Sequence, residues 1–161
     1  MAVVTVEAPA GLTFDEVRRL HAVALHRLCV LVLGHPGAGE AATLEVLTAA
    51  AAAWETDRPP AGTALRWLCA IACDVLGEGP PARRGRRAPG AVVSGWGLDV
   101  DAALVRASTL RVRDRVAAGL RCAAGLDYAE IGDILGIRAD AARAACARAM
   151  QRVQPPRRRR R

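Results

Sequence analysis

The stretch "GLDYAEIGDILGIRADAARAACARAM", residues 125–150, decides how the rest of the chain is read. Asp127 precedes an apolar helical pattern and Glu130 follows it by three, the spacing at which two side chains satisfy the free N–H groups of a helix start. Ile131, Ile134 and Leu135 then share one face. Gly136 interrupts the pattern, Ile137 supplies an apolar plug under the turn, and a second helix is expected from about Ala139 to Val153. In that helix Ala142, Cys146, Ala149 and Val153 form a seam for burial. A short helix, a glycine turn and a longer helix make a helix-turn-helix, whose second helix meets the DNA major groove in proteins that read DNA.

Upstream of this motif a helix is expected across Arg111 to Ala123, ended by Gly125, and another through Asp101 to Ala107. Residues 77–95, "GEGPPARRGRRAPGAVVSG", have no apolar period and read as a Gly/Pro/Arg-rich linker. Before the linker, Thr13 and Glu16 make a second capping box, and Val17, Leu20, Ala24, Leu28 and Leu31 recur at helical spacing. Gly34-His35-Pro36-Gly37 stops that helix. A second runs from about Gly39 to Trp54, Asp57-Arg58-Pro59-Pro60 breaks the chain again, and a third spans about Thr63 to Leu76 with Leu65, Leu68, Ala72 and Val75 on one face. The expected fold is all-α: two small helical domains, residues 1–77 and 98–154, joined by the flexible linker 78–97 and followed by a basic tail, 155–161.

Composition agrees with this outline. Apolar residues make up 52% of the 161 and aromatics only 3%, so the core must be built from Leu, Val, Ile and Ala, of which Ala is the strongest helix former. All 23 basic residues are Arg, which a GC-rich gene explains without any function. Charge is divided unevenly: residues 1–77 hold five Arg against eight acids, and residues 78–161 hold eighteen against eight. The second half is the part suited to a polyanion. Arg157 to Arg161, after Pro155-Pro156, would grip phosphates without sequence preference or serve only as a solubilising end. No charge-free run of 18 apolar residues occurs, and the N-terminus lacks a signal-peptide layout, so no membrane association is expected and the chain is expected in the cytoplasm. There the five cysteines, Cys29, Cys69, Cys73, Cys122 and Cys146, read as small core residues.

"GLDYAEIGDILGI" followed by "ARAACARA" resembles region 4 of the bacterial sigma-70 factors, in the two-domain extracytoplasmic-function (ECF) group. "TLRVRDRVAAGL" fits the helix before it, with Arg115 at a position where that family usually has Arg. The first domain resembles region 2 through Phe14-Asp15-Glu16, Leu33-Gly34-His35-Pro36, Glu40 and the pattern Trp67-Leu68 with Ile71-Ala72. The resemblance implies a transcription initiation factor that lends promoter specificity to RNA polymerase and is not an enzyme. Its implied partners are the polymerase core, promoter DNA, and an anti-sigma factor or other regulatory protein, with no cofactor. By the same resemblance Arg143, Ala144, Ala147 and Arg148 would meet the −35 element, with Arg138 and Arg152 as candidates for phosphate contact. An Arg can pair bidentately with guanine, whereas Ala reaches only a thymine methyl. For each of these Arg residues a solvated helix face is the plain alternative.

Polymerase contact would fall at the positions of Glu40, Ala41 and Leu44, where the family usually shows an acidic pair and a Gln. Only Glu40 keeps that pattern. Cys73-Asp74 stands where the family has basic and polar residues for the −10 element. These departures motivate an alternative function: a degenerate sigma-like protein acting as a protein-interaction module, or as a DNA-binding regulator independent of polymerase. Other chemistry has little support. Cys69 and Cys73 at i, i+4 fall short of the four convergent ligands a structural zinc needs. A phosphate-binding GxxxxGK[ST] loop is impossible without Lys. Trp54 and Trp67 read as core rather than as stacking platforms.

Overall fold

The computed structural model describes residues 11–60, 62–77 and 105–153. The expected linker 78–97 and basic tail 155–161 lie outside the described residues, as does most of the helix expected through Asp101 to Ala107; the described part, 105–107, belongs to a helical turn over 105–108. The described residues form only helices and turns: α1 (Phe14–Leu33), α2 (Pro36–Trp54), α3 (Ala64–Val75), α4 (Val112–Ala123), α5 (Tyr128–Leu135) and α6 (Ala139–Val153).

The break between α1 and α2 is tighter than the sequence suggests. Gly34 closes α1 in the left-handed region at φ 70°, where a side chain would strain the backbone. His35 then caps α2, its Nδ1 accepting from the N–H of Ala38 at 3.1 Å, and Pro36 occupies the first turn, where a missing N–H costs nothing. α2 therefore begins at Pro36 rather than near Gly39. Gly39 has a different duty: a Cβ there would lie 2.9 Å from the Val30 backbone, so α1 and α2 approach over a residue that has none.

α1 is surrounded on three sides, by α2, α3 and α4. Its buried arc is Val17, Leu25, Leu28, Cys29 and Val32, while Leu20, expected on the inner stripe, is 63% exposed. On α3 the buried set is Ala64, Leu68, Cys69, Ala72 and Cys73, with Leu65 and Val75 half-buried. In both helices the arc is wider than a single stripe because more than one neighbour presses on it. Phe14, Trp54 and Trp67 close one end with ring centroids 5.5 and 5.7 Å apart, and Trp67 donates to Asp57 at 3.4 Å.

Helices α1–α3 come from the first half and α4–α6 from the second, and they share one core. Leu25, Leu28 and Val32 of α1 and Cys69 and Cys73 of α3 belong to the same buried cluster as Val116 and Leu120 of α4, Ile131 and Leu135 of α5, and Cys146 of α6. An ion pair, Arg66 Nη2 to Asp133 Oδ2 at 2.9 Å, links α3 to α5 at the edge of this contact. Four cysteines are buried as expected; Cys122 is exposed, since it lies on the outer side of α4, 4.0 Å from Met150. No helix among the described residues is long and apolar enough to cross a membrane.

Candidate nucleic-acid interface

The α5–turn–α6 unit is built by local chemistry. Asp127 accepts from the N–H of Glu130, and Glu130 accepts from that of Asp127, both at 2.8 Å. At the other end Gly136 takes φ 63°, and the Ile137 N–H returns to the Gly132 carbonyl at 2.9 Å. A Cβ on Gly132 would fall 2.6 Å from the Ile137 carbonyl oxygen, so the turn folds directly onto α5. These bonds set the angle at which α6 leaves the turn. Ala142, Ala145, Cys146 and Ala149 then face the core, with Val153 half-buried.

Arg138, Arg143, Ala144, Ala147, Arg148 and Arg152 are all exposed, and they do not form one patch. Each helical residue advances about 100°, so Arg143 and Arg148 stand about 140° apart around α6, with Ala144 and Ala147 on the strip between them. The strip facing most directly outward thus carries methyl groups, Asp140 and Gln151, flanked by one guanidinium on each side. Arg143 makes no ion pair among the described residues. Arg138, in front of the helix, pairs with Asp140 at 3.0 Å in an open setting, 87% and 68% exposed, where such a contact is weak.

Arg148 has a stronger partner. Its Nη2 donates to Asp114 Oδ1 at 2.7 Å and its Nε to Oδ2 at 3.2 Å, a bidentate contact with a carboxylate in the first turn of α4. The hydrogen bonds and charge of Asp114 raise the Arg148 pKa further above its usual value. Asp114 is 6% exposed, so the pair ties α6 to α4 and turns one edge of the Arg148 guanidinium away from the outer strip. Sequence reasoning missed Asp114. As an acid in a first helical turn it looks like dipole compensation, and the one hint was its isolation among Arg111, Arg113 and Arg115. Arg115 beside it is buried.

In the first half, Glu40, Ala41 and Leu44 are exposed together on α2, Leu44 at 62%. They share one outward face at i, i+1 and i+4. On α1, Leu20 and Val23 also point outward, at 63% and 61%. Cys73 is wholly buried, so the Cys73-Asp74 position offers the surface only the half-buried Asp74. No group of three or more metal-ligating side chains converges among the described residues.

At the level of sequence, no family model and no curated protein matches the chain. Among solved structures it is similar to the sigma factor RpoE from Bartonella quintana, in complex with the anti-sigma factor NepR. The TM-score is 0.70 at 18% identity, over 88% of this chain and 94% of that one. The chain therefore has a sigma-factor fold, through both halves of the described helices.

Proposed function

We propose that the chain is an ECF-type sigma factor, a transcription initiation factor that recruits RNA polymerase core to promoters and has no catalysis of its own. The observation that carries this reading is the α5–turn–α6 unit, whose outer face is free of the core and flanked by Arg143 and Arg148, on a chain with the fold of a sigma factor. On this reading α6 enters the major groove of the −35 element. Arg143 reads a base, and Ala144 and Ala147 admit the helix closely and touch thymine methyls. Much of the affinity then comes from phosphate contacts, which position the helix without specifying sequence. Residues 1–77 and 98–154 divide the work between polymerase and promoter while packed on one core, with 155–161 adding charge. The exposed α2 face of Glu40, Ala41 and Leu44 docks on the polymerase core, working in the cytoplasm.

A second reading has its own observation. Leu44 exposes an apolar side chain where a polar docking face would suit polymerase better, and Leu20 and Val23 do so on α1, which favours a partner protein. The solved relative is bound to an anti-sigma factor, and a regulatory partner of that kind would suit this surface. Fluorescence anisotropy of the labelled full chain against RNA polymerase core at physiological salt separates the two. Binding at roughly micromolar affinity or tighter, weakened by Glu40→Arg, supports the sigma reading. A folded chain that does not bind core at tens of micromolar sinks it and moves the search to protein partners.

A further inference from the structure

On the flank of α6 away from Arg143, a cleft of about 640 Å³ opens between that helix and the start of α4. Arg111, Arg148, Gln151 and Arg152 line it, with Asp114 as its one carboxylate. Thr109 also lines it, but its hydroxyl already donates to the Arg106 carbonyl at 2.7 Å and has no proton left for a ligand. Three guanidinium charges therefore face one carboxylate, and that carboxylate is held bidentately by Arg148. Arg111 and Arg152 make no ion pair among the described residues, and both are exposed.

We infer that this cleft is a phosphate seat, which takes an oxyanion between Arg111 and Arg152 with Arg148 as its fixed wall. Asp114 is a positioning residue here. It occupies the Nε side of the Arg148 guanidinium and leaves the remaining N–H groups for the ligand, so little side-chain freedom is lost when the ligand binds. Arginine is suited to this because its planar fork matches two phosphate oxygens at once. The inference rests on the DNA-binding reading for its source, a phosphate of the DNA backbone beside the groove that α6 enters; a free phosphate would offer the same chemistry. It assigns the two flanks of α6 different work, base contact at Arg143 and backbone contact at Arg148, Arg152 and Arg111, the last just ahead of α4 and outside the helix-turn-helix.

The test follows the arginine Nε–H resonances of the full chain by NMR, with inorganic phosphate added at constant ionic strength and, separately, duplex DNA. Salt titrations of duplex binding by wild type, Arg111→Ala, Arg152→Ala and Arg143→Ala run beside it. The expected result is that the Arg111 and Arg152 signals shift with both probes and the Arg143 signal with DNA alone. Each of Arg111→Ala and Arg152→Ala then lowers the slope of log affinity against log salt by about 0.9. Shifts with phosphate in a chain that ignores DNA uphold the seat with a free anion as its ligand and end the DNA-binding reading. DNA binding with unmoved Arg111 and Arg152 signals and unchanged slopes overturns the seat and leaves that reading standing. Silence with both probes overturns both.

Discussion

The guanidinium groups of Arg143 and Arg148 on α6 are chemically identical and sit in unlike settings, and this difference sets what each can do. Arg143 is unpaired among the described residues, whereas Arg148 is held at 2.7 Å by a buried carboxylate. Substituting Arg143 by Ala is expected to cut discrimination between a matched duplex and one mismatched at a single guanine, by roughly 1–3 kcal/mol, and to affect unmatched duplexes little. Competition binding at fixed salt measures this, and an equal loss on both duplexes would show a phosphate contact instead. The cysteines give a second test at this scale. Burial pushes the Cys69 thiol up to about 12, and the Cys29 and Cys146 thiols are raised by the same cause. Thiolate is the reactive form, so in native protein Ellman's reagent should label Cys122 quickly and the four buried thiols only on unfolding. More than one fast equivalent would mean that the core opens locally.

At the scale of the helix, both capping boxes place carboxylates where the first turn needs an acceptor. Asp127→Ala should cost about 1 kcal/mol and lower the thermal midpoint, since the Glu130 N–H at the start of α5 loses its partner. In α1 the backbone N–H of Thr13 holds the Glu16 carboxyl below its ordinary 4.5, and the Arg18 guanidinium beside Asp15 does the same to that group. A depressed folded-state pKa stabilises above the unfolded value and stops doing so as pH falls through the folded one. The first turn of α1 should therefore fray on acidification below about pH 4.5, seen as faster amide exchange at Val17 and Arg18 while α6 stays protected. Both boxes were legible in the sequence because their chemistry spans three residues. So was the α6 seam, except that Ala145 joins it and Val153 is only half-buried. The inner stripe of α1 was not, because Leu20 and Leu25 are equally apolar and only packing against α2, α3 and α4 selects between them. The Arg148–Asp114 pair spans 34 residues, and no local pattern announces a contact at that distance.

For the whole molecule the decisive feature is the core common to both halves. Leu28 of α1 lies against α4, where a Cβ on Gly119 would come within 2.7 Å of its Cδ1. Leu28→Ala should cost about 2–5 kcal/mol, and far-UV circular dichroism and the fluorescence of Tyr128 should report one transition shifted as a unit. Two separated transitions would show instead that the halves melt independently. The division of charge works at the same scale: the acidic half carries the α2 face proposed for protein contact, and the basic half carries α6.

The seam between α1 and α4 also bears on how long the protein survives in a cell. Parting the halves uncovers Leu28, Val32, Val116 and Leu120 to water, and exposed apolar surface costs about 25 cal/mol per Å². A chain caught in that state is sticky and cleavable, and its degradation follows how often it is found there. Any partner that binds the parted halves would take over the covering that each gives the other.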